Sequence, residues 1–235
     1  PSPCAQHTAM QRERLQQRQE EERRQREVER ERERAVLYGA LPQHVADRLI
    51  RGESVTDHYA SASVIFMDIA GFTRISSRVP AGPVVHLLEA IFITCDEICL
   101  KHGVTKIKTI GDSYMAVAGV PELQDDHAER AARTATEIQQ ALHDLRVTMP
   151  PELGDTAWTK DIGEIHARVG VHCGPVVAGI VGKERLQYDV WGDTVNTASR
   201  MESTGEAGKI QVSSPFATAL GNGEWGMGNA AETRV

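Results

Sequence analysis

Between residues 11 and 34 the chain reads QRERLQQRQEEERRQREVERERER, and Leu15 and Val28 are the only apolar side chains in that stretch. No segment of this composition has a face to bury, so any globular fold must be assembled from the other residues. Gln, Glu and Arg are good helix formers, and opposite charges recur here at i,i+3 and i,i+4, which predicts a solvated helix. A sustained a/d heptad is missing, which argues against an autonomous coiled coil. The stretch fits a single helix, or a charged stalk that pairs only when something else holds two copies together. Its glutamates nearly cancel its arginines and no aromatic is interleaved, which argues against a nucleic-acid arm.

The composition changes near residue 35. In AVLYGALPQHVADRLIRGES, Leu37, Leu41, Val45 and Leu49 recur at helical spacing, and Pro42 forces a break or a restart between them. This divides the chain into a helical stalk and joint over 1–50 and a globular domain over 51–235. A chain of 235 residues, 40% of them apolar, has enough apolar side chains for that domain to bury a sizeable core. The net charge of −7 and a pI near 5.7 speak against nucleic acid as a partner. The four cysteines, Cys4, Cys95, Cys99 and Cys173, show no C-x-x-C spacing and read as free thiols of a reducing compartment. Cys95, Cys99 and His102 share a helix face, where small buried hydrophobes are the simpler reading than metal ligands. The longest apolar run, Leu87 to Leu100, is interrupted by Glu89, Asp96 and Glu97 and cannot span a bilayer. Because the chain starts at Pro1, its natural amino end is expected to lie elsewhere.

From Ser63 the texture is that of mixed strands and helices. ASVIFMDI reads as a buried strand ending in Asp68, and Pro83 to His102 as an amphipathic helix. GVTKIKTIGDSYMAVAG reads as two strands turning at Gly111-Asp112, and Asp126 to Arg146 as a second helix with an acidic first turn. Residues 147–164 form a loop rich in Pro, Gly and acidic groups, and strands follow in IHARVGVHCG and PVVAGIVG. Strand, helix, two strands, helix, strand is the order of an α+β, ferredoxin-like βαββαβ core, here with an extra strand and helix appended.

In that order the first and the central paired strands lie side by side, so Asp68 and Asp112 can face one point. Two hard carboxylates at one edge suit Mg²⁺, which leaves its other positions to water and phosphate oxygens. Two-metal phosphoryl and nucleotidyl transfer uses such a pair. After Asp68 the run IAGFTRISS leads into a helix whose first N–H groups can cradle phosphates. Lys108, four residues before Asp112, invites reading as its salt-bridge partner. Residues four apart in an extended strand stand about 13 Å apart, which weighs against that pairing.

FMDIAGFT, KIKTIGDSYM, ARVGVHCGPVVAGIVG and YDVWGDTVNTASRME, in this order, resemble the catalytic domain of the class III nucleotidyl cyclases, the adenylyl and guanylyl cyclase family, over about residues 60 to 215. The resemblance implies cyclisation of ATP or GTP by in-line attack of the ribose 3′-hydroxyl on the α-phosphorus, with release of pyrophosphate. It assigns Asp68, Asp112 and the backbone carbonyl of Ile69 to two Mg²⁺ or Mn²⁺ ions. Lys108 matches the purine-selecting position, where a lysine donates to adenine N1 and guanylyl cyclases carry a glutamate. Asp189 matches its partner, which accepts from the adenine amino group and is typically cysteine in guanylyl cyclases. Asn196 and Arg200 match the transition-state pair, Gly71, Phe72 and Thr73 the phosphate loop, and Arg168 an arginine near the β and γ phosphates. No side chain stands out as a general base.

In this family the metal aspartates come from one subunit and the purine, asparagine and arginine groups from the other. A chain with both sets therefore resembles the homodimeric bacterial adenylyl cyclases, with two equivalent sites. The stalk and joint resemble the helical element that relays signals from an amino-terminal receptor or membrane part, which places the catalytic domain on the cytoplasmic side. One departure stands out: the chain ends in GNGEWGMGNAAETRV where the family usually has strands and a lysine-rich KGKG-like segment. The competing readings are a non-catalytic dimerising relay, which binds nucleotide without turnover, and a guanylyl cyclase, against which Lys108 and Asp189 argue together.

Overall fold

The computed structural model describes residues 3–145, 165–182 and 186–221. Its contacts divide the chain into two compact units, Pro1–Glu53 and Ser54–Val235. In the first, α1 (Pro3–Ala40) is the expected charged helix, with Leu15 and Val28 exposed. Exposed pairs such as Arg23–Glu27 at 3.2 Å and Arg26–Glu22 at 3.4 Å line it, each worth roughly 0.3–0.5 kcal/mol. The chain breaks at Pro42 and restarts as α2 (Gln43–Ile50), and the Tyr38 hydroxyl ties the two helices by donating to Asp47 Oδ1 at 2.7 Å.

The second unit contains β1 (Thr56–Ile69), α3 (Phe72–Arg78), α4 (Ala81–His102), β2 (Thr105–Ile110), β3 (Ser113–Ala118) and α5 (His127–Asp144). β4 (Ala167–Val181), β5 (Gln187–Trp191), α6 (Asp193–Ser203), β6 (Ile210–Val212) and α7 (Ser214–Leu220) follow. The sheet order β2-β3-β1-β4 is the antiparallel ferredoxin-like order, and β5 and β6 share the outer edge of β4. Side chains alternate along β1 and its neighbours, so Ile65, Met67, Ile69, Tyr114, Ala116, Val169 and Val171 share one face. There they pack against Leu87, Ile91, Cys95 and Ile98 of α4 and Ala131, Ala135, Ile138 and Leu142 of α5. Each large aliphatic buried in this layer contributes roughly 1.5–3 kcal/mol. Cys95 and Cys99 are buried in the core, and His102 Nε2 lies within hydrogen-bond distance, 2.7 Å, of Glu137 Oε2.

Three sequence expectations need correction. IHARVGVHCG and PVVAGIVG are one continuous strand, β4, not two. Pro175 lacks an N–H to donate to the ladder, and β1 answers with an irregularity: between the pairs Tyr59–Val176 and Ala62–Gly174 it has one residue more than β4. Strand β1 begins at Thr56, six residues before the Ala62 at which ASVIFMDI starts, because its polar first half pairs with the far end of β4. Helix α5 begins after Asp126, which is its N-cap, while Arg146 and the loop 147–164 lie outside the described residues. The strands β5 and β6, which the sequence reading did not resolve, complete the outer edge, and helix α7, likewise unresolved, buries Phe216 in the core. Among the described residues no helix is long and apolar enough to cross a membrane.

Candidate active site

Alternation places Phe66 and Asp68 of β1, Ser113 and Met115 of β3, and Arg168, Gly170 and His172 of β4 on the face opposite α4 and α5. This face is closed over β4 by α6. The buried side of α6 is the i,i+4,i+8 stripe Thr194, Ala198 and Glu202. It lies directly on the strand because β4 offers glycines four apart. A Cβ on Gly170 would stand 2.0 Å from the backbone nitrogen of Glu202, and one on Gly174 would stand 2.7 Å from Thr194 Oγ1. Thr194 Oγ1 also donates to the Pro175 carbonyl at 2.7 Å.

Asp68 ends β1 and Asp112 sits in the two-residue turn between the paired Ile110 and Ser113, with Gly111 at φ 64° making the corner. Because β1 and β3 are neighbours, the two carboxylates meet. Burial, followed by the hydrogen bond and charge of Asp68, pushes the Asp112 carboxyl up to about 6. Asp68 Oδ1 accepts from Ser113 Oγ at 3.1 Å and Asp68 Oδ2 from Arg168 Nη2 at 2.5 Å. Arg168 Nε also donates to Glu202 Oε1 at 3.2 Å. Burial first, then the charge of Asp68, raises the Glu202 carboxyl above its ordinary range. Two carboxylates that cannot comfortably both ionise, with all-oxygen donors, fit a hard divalent cation. Among the described residues no three His, Cys, Asp or Glu side chains converge, so Asp68 and Asp112 would leave most positions of such an ion to other oxygens. Ile69 is buried in the core layer, which leaves only its backbone carbonyl for a ligand role.

Lys108 and Asp189 form a second centre. Lys108 Nζ donates to Asp189 Oδ2 at 2.5 Å, and Asp189 Oδ1 accepts from the Val190 N–H at 2.8 Å. The partners lie on β2 and β5, the two opposite ends of the strand order, so the sheet curls enough to bring them together. A bulge aims the lysine. Lys106 pairs with Ala116 and Lys108 with Met115, so the ladder shifts at Ile107 and lysines two apart take opposite faces. Lys106 faces α4, at 2.7 Å from Asp96 Oδ2, and Lys108 faces away. The salt bridge from Lys108 to Asp112 that sequence spacing weighed against is not formed; its partner is Asp189.

Asn196 and Arg200 stand together on the exposed side of α6, and among the described residues neither side chain has a hydrogen-bond or ion-pair partner. They lie on the side of α6 opposite Thr194, Ala198 and Glu202, the stripe that packs on β4. Gly71 takes φ 76° at the start of α3, with Phe72 half-buried and Thr73 exposed behind it. The structure thus joins Asp68, Asp112 and Arg168, joins Lys108 with Asp189, and holds Asn196 and Arg200 on an outer surface. Glu202 went unnoticed in the sequence, although a charged residue closing the stripe Thr194, Ala198, Glu202 was a readable sign of a buried ion pair.

The family model for the adenylate and guanylate cyclase catalytic domain matches residues 55–235. An adenylate cyclase of Mycobacterium tuberculosis is 43% identical over 183 residues, which are 76% of this chain and 38% of that protein. The guanylate cyclase domain from Catenaria anguillulae in complex with GTP is 37% identical with a TM-score of 0.64, covering 71% of this chain and 85% of that one. The catalytic core of a rhodopsin-guanylyl cyclase with converted specificity, in complex with ATPalphaS, is 38% identical with a TM-score of 0.63, covering 71% and 84%. The chain spans little more than a third of the length of its mycobacterial relative. On the sheet order, the carboxylate pair at its edge and a match over most of its length, this chain belongs to the adenylate and guanylate cyclase catalytic domain family.

Proposed function

We propose that this domain is an adenylyl cyclase that converts ATP to 3′,5′-cyclic AMP and pyrophosphate at sites shared by two copies of the chain. The observation that carries the choice of purine is the ion pair of Lys108 and Asp189. A lysine offers a donor to adenine N1 and an aspartate an acceptor to the 6-amino group. Guanine presents an N1–H donor and an O6 acceptor at the same places, so both polar partners would be mismatched, and an unpaired buried polar group discriminates strongly. The similar rhodopsin-guanylyl cyclase core of converted specificity, in complex with ATPalphaS, and the similar domain in complex with GTP mark the two outcomes this fold permits.

Asp68, Asp112 and the Ile69 carbonyl would hold two Mg²⁺ or Mn²⁺ ions, which supply a more acidic 3′-hydroxyl and charge neutralisation on the departing pyrophosphate. Arg168 reaches the β and γ phosphates, and the N–H groups after Gly71, at Phe72 and Thr73, cradle the same chain of phosphates. Asn196 orients the ribose and Arg200 stabilises charge growing on the α-phosphoryl group, donors worth most in a water-poor site. The exposure of Asn196 and Arg200 on the side of α6 opposite the stripe that packs on β4 supports completion of each site by a second copy. The stalk α1 is read as the relay from an amino-terminal sensor or membrane part.

The test is kcat/KM for ATP and GTP with Mn²⁺ in the wild type and in Lys108→Glu combined with Asp189→Cys. Preference for ATP that moves toward GTP in the double variant is expected. Equal use of both purines by the wild type overturns the adenylyl assignment, and absence of product from either favours the non-catalytic relay.

A further inference from the structure

One guanidinium serves two carboxylates on the site face. Arg168 Nη2 reaches Asp68 Oδ2 at 2.5 Å and its Nε reaches Glu202 Oε1 at 3.2 Å. Glu202 is 8% exposed and has no part in the function proposed above. A carboxylate this buried needs a partner, and among the described residues Arg168 supplies it.

The anchoring is unequal. The Glu202 backbone is pinned on β4 by the absence of a side chain at Gly170, one pleat from Arg168. Asp68 is pinned by its ladder pairing with Arg168 and by Ser113 Oγ. The long stem of Arg168 is the adjustable element between them. A divalent cation on Asp68 and the guanidinium compete for the same carboxylate, because each neutralises it and they repel one another. With Asp68 taken, Glu202 is the acceptor that keeps Arg168 on the site face.

We propose that Glu202 is a positioning residue for Arg168. In the metal-free protein the arginine is a built-in counter-cation shared between Asp68 and Glu202; in the loaded protein Glu202 alone holds it, aimed at the phosphates. This rests on the reading of Asp68 as a metal ligand.

The test is Mn²⁺ binding to the full chain without nucleotide, followed by the electron paramagnetic resonance signal of the free ion. Four proteins are compared: wild type, Arg168→Gln, Glu202→Gln and the double variant. Removing the counter-cation should tighten Mn²⁺ binding about fivefold, and Glu202→Gln should weaken it about fivefold, because Arg168 then rests on Asp68 alone. The double variant should bind as tightly as Arg168→Gln, since Glu202 acts only through the arginine. Two charges acting independently through space would instead add, returning the double variant to wild-type affinity, and that result overturns the proposal. Should Glu202→Gln fail to give a cooperative melt, Glu202→Asp takes its place: weakened binding that vanishes without Arg168 is expected, and unchanged binding overturns the role. An additive cycle beside intact cyclic AMP formation sinks the role of Glu202 alone. Absence of Mn²⁺ binding by the wild type sinks the metal reading together with it.

Discussion

From the same strand β1, Ile65, Met67 and Ile69 point toward α4 and α5 while Phe66 and Asp68 point toward the site, and the two faces of the sheet are built by different rules. The first face is filled with aliphatic side chains whose partners are interchangeable in kind and matter through volume. The second is organised by pairs: Arg168 with Asp68 and Glu202, and Lys108 with Asp189. On the first face a lost group leaves a cavity. On the second it leaves an unbalanced charge, and stability need not fall where the loss relieves a crowded pair such as Asp68 and Asp112. The contrast is sharpest between Lys106 and Lys108, two residues apart, one held by Asp96 on the α4 side and the other by Asp189.

The largest expected effect lies on the site face. Asp68→Ala should lower turnover at least about a thousandfold, equivalent to about 4 kcal/mol of transition-state stabilisation, with a melting temperature that holds or rises once the crowding with Asp112 is relieved. A parallel fall in stability and turnover, read by calorimetry beside a cyclic AMP assay, would erase the distinction between the faces. On the core face, Ile91→Ala should cost about 3 kcal/mol in denaturant unfolding and leave turnover per folded molecule nearly unchanged. A catalytic defect larger than the loss of folded protein would show that the two faces are coupled.

The lysines sharpen the comparison further. Lys108→Ala should lower kcat/KM for ATP about a hundredfold, near 2.7 kcal/mol, while Lys106→Ala should stay within about twofold of wild type and cost at most about 1 kcal/mol in stability. Equal defects in both would mean that the bulge at Ile107 does not separate them in solution.

The smallest effect is a pH dependence. The folded carboxyl of Asp112 titrates near 6, above its ordinary value of 3.8. A raised folded value means that its contribution to stability is complete below the ordinary value and is lost as pH rises through about 6. The metal-free protein should therefore lose stability across that window through this group, by about 1 kcal/mol after allowance for solvent screening. Mn²⁺ should restore it, so the rise in melting temperature on adding Mn²⁺ should be larger at pH 7.5 than at pH 5. A shift independent of pH would remove Asp112 from the cation site.

Much of this was readable in the chain. The helical spacing of α4, the Gly111-Asp112 corner and the strand ending in Asp68 are local signals, and the sheet order follows from their sequence. What was not readable depends on ladders between distant strands. Nothing around Ile107 marks a bulge, yet the bulge decides which lysine faces the site. Pro175 signals a strand end by itself, and only its position opposite the irregularity in β1 lets β4 continue. The meeting of Arg168 with Asp68 follows from antiparallel register, and the link to Glu202 from the bare surface of Gly170, neither of which a single segment displays.

The most direct measurement is cyclic AMP formation by Asp68→Ala and Arg200→Ala, each alone and mixed in equal amounts at concentrations that give dimers. Each variant alone should be inactive. In the mixture about half of the dimers should be mixed, each with one intact site of two, so activity should return to about a quarter of the wild-type value. A mixture as inactive as its components, beside an active wild type, would contradict a site divided between two copies.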